Sequence, residues 1–191
     1  MKYLDDEVYL EKIRAGNVQA YSFLVNKHKS LAFTLALRMV RNREDAEEIA
    51  QDAFLKAYHA LPEFKGDSKF STWLFRIVYN NSINKLRKNV KATVAIDEQA
   101  EYDLNFAEME EELKILHAKE RRLYVKEAID TLDEEEGVII TLFYIEELPS
   151  ATISEITGLT DANIRVKLHR ARKKLQLILQ NKLKGELKEL L

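Results

Sequence analysis

Only two prolines, Pro62 and Pro149, and five glycines interrupt the 191 residues of this chain. Proline and glycine are the residues that most strongly end helices. Their scarcity therefore confines the chain to long helices and leaves little room for a turn-rich β fold. Apolar residues recur at helical spacing between capping signals. Asn17 is placed to cap a helix over about 18–40 that carries Phe23, Leu24, Leu31, Leu35 and Leu37. Arg41, Asn42 and Arg43 predict a turn. The next helix, Glu44 to Ala60, begins with acids at its positive end and repeats Ala46, Ile49, Ala50, Ala53, Phe54 and Ala57 before Pro62. A loop from Glu63 to Phe70 leads to a helix capped by Ser71 and running to about Lys88.

Residues 89–117 change character, being β-branched, small and acidic, and helical periodicity returns near Ala118. Asp133 and Glu136 form an Asp-x-x-Glu capping pattern ahead of the apolar run Val138 to Ile145. The expected fold is all-α: a helical domain over 1–90, an acidic linker over 91–117 and a second helical domain over 118–191. The formal net charge is only −2, but the charges are segregated. Residues 69–91 carry six cations and no acid, 92–113 carry eight acids and no cation, and 162–184 carry eight cations and no acid. One-sign blocks of this kind mark charged partners better than net charge does.

The first basic block holds an unusual combination. A loop with Gly66 between Phe64 and Phe70 feeds a helix on which Trp73, Arg76, Asn80, Asn84 and Arg87 share one side. Leu74, Phe75, Val78, Tyr79, Ser82 and Leu86 share the other. Phosphates call for cations, and unpaired bases call for flat π surfaces and amides, so the segment suits single-stranded nucleic acid. Trp73 can equally be a core residue, and Phe64 and Phe70 can pin the loop to the core.

Residues 149–175 read as a helix-turn-helix. Pro149 suits a first helical turn, Gly158 supplies the turn and Thr160 caps the second helix. Ile164, Leu168, Ala171 and Leu175 form its buried stripe. Ala162, Arg165, Val166, His169 and Lys173 face the other way, toward base edges, while Arg170, Arg172 and Lys174 stand where phosphates would be met. Val166 can touch a thymine methyl or pack partly in the core.

Enzymatic readings find little support. The four histidines (His28, His59, His117, His169) are scattered, and no Gly-x-Ser-x-Gly or phosphate-cradling loop occurs. Asp133 to Glu136 suit helix capping better than a metal. No catalytic site, metal or cofactor is expected. The absence of cysteine suits a reducing compartment, Met1 to Glu7 is too acidic for a signal peptide, and no apolar run reaches the roughly 18–20 residues that span a bilayer. A cytoplasmic chain without membrane insertion is expected.

Three motifs in order resemble the extracytoplasmic-function (ECF) group of bacterial RNA polymerase sigma factors, in the sigma-70 family. They are Asp45 to Phe54, then Phe64 to Ser68 with Thr72, Trp73 and Leu74, then Leu168 to Arg172, and the likeness spans roughly residues 7–180. The resemblance implies a promoter-specificity subunit of core RNA polymerase. It implies contact with the β′ coiled coil through Glu48, Gln51, Asp52, Phe54 and Leu55. It implies −10 recognition and melting through Phe64, Lys65, Asp67, Ser68, Trp73, Arg76, Asn80, Asn84 and Arg87. It implies −35 recognition through Ala162, Asn163, Arg165, Val166, His169, Arg170 and Lys173, with the same domain on the β-flap. Promoter DNA and the anti-sigma factor typical of the group are the other implied partners. A stand-alone helix-turn-helix regulator and a sigma-like decoy that binds an anti-sigma protein are the rival readings.

Overall fold

The computed structural model describes residues 5–89 and 118–189, so the linker expected over 91–117 lies outside the described residues. Every regular element among the described residues is helical, as the breaker count requires. They fall into two compact units: 5–89 with 151–159, and 118–150 with 160–189. No described helix is long and apolar enough to cross a membrane.

In the first unit α1 (Asp6–Arg14) is followed by a 3-10 turn (Val18–Ala20), α2 (Tyr21–Val40), α3 (Arg43–Ala60), a second 3-10 turn (Leu61–Glu63) and α4 (Phe70–Asn89). Helices α2, α3 and α4 pack against one another, and α1 lies on α2. The side of α3 that faces inward is built from Ala46, Ala50, Ala53 and Ala57, whose small side chains let the neighbouring backbones come close. Leu24, Leu35, Met39 and Leu74 fill the space between. The turn after α2 closes with Arg41 in the left-handed region (φ 52°). Asn42 then caps α3 by accepting from the Asp45 amide at 2.9 Å.

Two expected caps are not made. Asn17 forms no side-chain cap bond, because a 3-10 turn intervenes before α2. The fourth helix starts at Phe70 rather than after Ser71, with the Trp73 amide bonded to the Lys69 carbonyl. Phe23, expected on the apolar side of α2, is instead exposed and stacked on Tyr9 of α1 at 5.1 Å.

Helix α1 is held by its first acid. The Asp6 carboxylate accepts from Lys27 Nζ at 2.6 Å and lies 2.9 Å from Nε2 of the buried His28. Burial raises the Asp6 pKa, but the hydrogen bonds and charges of His28 and Lys27 outweigh it and hold the carboxyl below its ordinary 3.8. A carboxylate with a depressed folded pKa stabilises the fold above its unfolded value and loses that contribution as pH falls through the folded one. Asp6→Asn is therefore expected to flatten the acid unfolding curve of this unit below pH 3.8. Superimposable acid titrations of the two proteins would mean that the tie is without consequence.

The second unit contains α5 (Ala118–Asp130), α6 (Glu134–Ile140) running into a π turn (Thr141–Ile145), and α8 (Asp161–Glu189). The short α7 (Ser150–Thr157) precedes α8 in sequence. Val138, Ile139, Ile140 and Leu142 are buried, and α6 packs on α8. A β-branched run crowds the helical turns, and the Thr141 hydroxyl donates back to the Gly137 carbonyl at 2.7 Å. Both effects favour the wider turn that follows. The expected capping box is replaced. Asp133 is extended at the N-cap position but makes no side-chain cap bond. Lys174 Nζ instead donates to Asp133 at 2.6 Å and to the buried Glu136 at 2.9 Å.

Candidate nucleic-acid interface

The loop between α3 and α4 needs glycine at one position. Gly66 has φ +81° with open space around it, so only the backbone conformation demands glycine there. Lys65, Asp67 and Lys69 are exposed and Ser68 is half-buried. At the loop's two ends the phenylalanines turn inward. Phe64 lies 4.9 Å from Trp73 and 6.2 Å edge-on from Phe70, and Phe70 lies 6.0 Å from Trp73. The three rings form one cluster, in which Phe70 and Phe64 are buried and Trp73 is half-buried.

This corrects the placement of Phe64 among side chains that meet DNA directly. Its ring is an interior support, and Trp73 combines both roles weighed for it, with one side on the cluster and one toward solvent. Beyond Trp73 the stripe on α4 is as spaced: Arg76, Asn80, Asn84 and Arg87 are all exposed. Among the described residues neither Arg76 nor Arg87 has an ion-pair partner. Lys85, in the same basic block, differs. It is bonded to Asp45 at 2.7 Å and Glu48 at 3.0 Å, and those bonds raise its pKa.

On α3, Glu48, Gln51, Asp52 and Leu55 share one solvent face at offsets of three, one and three. Leu55 is 58 % exposed there, a large apolar side chain amid polar neighbours. Phe54 does not belong with them. It is buried, and its carbonyl accepts from the Tyr21 hydroxyl at 2.7 Å. The hundred-degree step from Leu55 turns it off that face and into the core.

Helix α7 starts at Ser150, so Pro149 stands just before it rather than in its first turn. Gly158 has φ +74°, and its amide closes the end of α7 on the Ser154 carbonyl at 2.8 Å. Thr160 caps α8, its hydroxyl accepting from the Asn163 amide at 3.2 Å. Ile164, Leu168 and Ala171 are buried as the stripe requires, and Leu175 is partly so. Ala162, Asn163, Arg165, Val166, His169 and Arg170 are exposed and Lys173 is half-exposed.

The cations of α8 are not equivalent. Arg165 bonds Asp161 one turn back at 2.7 Å, and Lys167 bonds Glu135 at 2.9 Å. Arg172 donates to the Tyr144 hydroxyl and lies over the Phe143 and Tyr144 rings, 5.7 and 5.4 Å from their centroids. Burial pulls the Lys174 pKa down, but its bonds to Asp133 and Glu136 outweigh this and raise it. Arg172 and Lys174 are thus engaged within the unit. Arg170 and Lys173 have no ion-pair partner among the described residues.

The sequence reading missed Arg14, His28 and Asp6, which lie against the aromatic cluster or its supports. No short-range signal marks them, since the tie of Asp6 to His28 spans 22 residues and that of Arg14 to Phe64 spans 50.

Comparison with known proteins gives the arrangement its context. Residues 24–92 match Sigma-70 region 2, and residues 122–175 match Sigma-70, region 4. The chain is 32% identical over 182 residues to the RNA polymerase sigma-H factor of Pseudomonas aeruginosa, covering 92% of this chain and 94% of that one. It is 31% identical over 175 residues to the ECF RNA polymerase sigma-E factor of Escherichia coli K12, covering 88% and 91%. Its fold is like that of CnrH, solved in complex with the cytosolic domain of CnrY (TM-score 0.61, 23% identity, 92% of this chain and 97% of that one). It is also like that of the sigma factor RpoE, solved with the anti-sigma factor NepR from Bartonella quintana (TM-score 0.58, 20% identity, 85% and 98%). The exposed cationic stripe on α4, the capped basic helix α8 and these matches agree: the chain belongs to the ECF group of the sigma-70 family, a sigma factor that directs promoter-specific transcription.

Proposed function

We propose that the chain divides promoter recognition between two parts joined by the acidic linker. Residues 1–90 dock on the β′ coiled coil through Glu48, Gln51, Asp52 and Leu55. The same part reads and melts the −10 element through Lys65, Asp67, Ser68, Trp73, Arg76, Asn80, Asn84 and Arg87. Residues 118–191 read the −35 element through Ala162, Asn163, Arg165, Val166, His169, Arg170 and Lys173, and lie on the β-flap. The observation that carries this reading is the α4 stripe: two exposed arginines and two exposed amides in line with a half-exposed tryptophan beside a glycine loop.

Each part alone reads few base pairs and binds weakly. Holding both on polymerase raises their effective concentration and makes the spacing between elements part of the specificity. Melting follows when an unstacked base is captured, at a cost of a few kcal/mol that the receiving contacts offset. The protein acts in the cytoplasm without catalytic chemistry or a cofactor, and an anti-sigma factor restrains it, as is typical of the group.

The test is transcription in vitro from a genomic library by core polymerase, with and without this chain. New start sites that share two sequence elements at fixed spacing are expected only when the chain is present. An unchanged set of start sites would defeat the reading. Tight duplex binding by the chain alone as a dimer would favour a stand-alone regulator.

A further inference from the structure

We propose that α1 is a buttress for the α3–α4 loop and that Arg14 is a positioning residue for −10 strand capture. The inference rests on the −10 assignment above and adds to it an element that precedes the matched Sigma-70 region 2 segment, which begins at residue 24. The loop has two ends, Phe64 and Phe70; α1 reaches the first directly and the second through His28 of α2. At its C-terminal end, Arg14 Nη2 donates to the Phe64 carbonyl at 3.3 Å, across 50 residues of sequence. At its N-terminal end, Asp6 holds His28 at 2.9 Å, and the His28 ring lies 5.9 Å from Phe70. Between these ties the Tyr9 ring stacks on Phe23 of α2.

The carbonyl that Arg14 takes is the last one before Lys65 and Gly66. Gly66 has the largest conformational freedom in the loop, and nothing lies within 4 Å of where its Cβ would be. A loop of this kind loses entropy when it orders around a strand. Fixing its upstream end beforehand lowers that cost and aligns the exposed side chains with the α4 stripe. Arg14 is itself held by Glu7 on the same helix at 3.6 Å. Its guanidinium touches no DNA in this scheme, so it acts through Phe64.

Two measurements test the proposal on the full chain. In the free protein, Arg14→Ala is expected to speed amide hydrogen exchange across residues 65–69 while leaving α2 and α3 unchanged. In the holoenzyme, the probe is a single-stranded oligonucleotide carrying the non-template −10 element of a start site found by the transcription assay. Arg14→Ala is expected to weaken its binding about five-fold, the value of one partly exposed hydrogen bond. Affinity for core polymerase should stay at the wild-type level, and Arg14→Lys should recover part of the loss.

Oligonucleotide affinity within two-fold of wild type, or a parallel fall in core affinity, would overturn the buttress. If the wild-type holoenzyme itself fails to hold the strand, the −10 assignment fails and takes this inference with it.

Discussion

Phe70→Ala is expected to destabilise the N-terminal unit by about 3–5 kcal/mol, the usual cost of deleting a buried aromatic ring. Phe70 is 2 % exposed, and its ring contacts Phe64, Trp73 and His28. No flexible side chain borders it on those sides that could collapse into the space left. Since whole domains are stable by only about 5–15 kcal/mol, the loss removes much of the total. Trp73 is the one tryptophan in the chain, so its fluorescence during denaturation reports this unit and not the other. Promoter opening should fail more severely than core binding at temperatures where the variant is still folded. The ring holds the downstream end of the loop, whereas the polar face of α3 lies on another helix. A loss below about 1 kcal/mol would show that the aromatic cluster is not a structural unit.

Much of this fold could be read in the sequence because helical structure is written locally. The scarcity of proline and glycine, the four-three-four alanine pattern of α3 and the Thr160 cap each act within a turn or two of chain. The failures are also physical. The resemblance assigns a loop position but not a depth, so it puts Phe64 among the DNA contacts, whereas the ring closes the core, the other reading its sequence allows. Phe54 is implied as a polymerase contact by the resemblance, while the apolar repeat of its own helix already turns it inward, where it lies buried. The cap expected of Asp133 was overridden by a lysine 41 residues later, which offers the carboxylate a charged partner in place of a neutral amide. Equal-looking cations on α8 separate only in three dimensions, where some meet carboxylates or a tyrosine hydroxyl and others meet water. The ties of α1 are illegible in the sequence for the same reason, because they run to α2 and to the loop.

That separation of the α8 cations leads to an expected difference between Lys174 and Arg170. Lys174→Met leaves Glu136, which is 5 % exposed, without the cation that neutralises it. Removing one partner of a fully buried ion pair costs about 3–5 kcal/mol. The Lys174 side chain is 45% exposed, so water already screens the pair and a discounted loss of about 1–3 kcal/mol is expected for the C-terminal unit. Glu136→Gln in the Lys174→Met background should recover part of it, because the stranded charge is then gone. Arg170 is exposed and unpaired among the described residues. Its replacement by alanine should change stability by less than about 0.5 kcal/mol. It should lower the slope of log affinity against log salt for promoter DNA by about one, as the loss of a single phosphate contact does. The salt slope of the folded Lys174→Met protein should match wild type. Denaturation followed by circular dichroism and salt titrations of holoenzyme binding separate the two. A reduced salt slope with unchanged stability in Lys174→Met would return that lysine to the DNA face, and would mean that its bonds to Asp133 and Glu136 yield when a phosphate arrives.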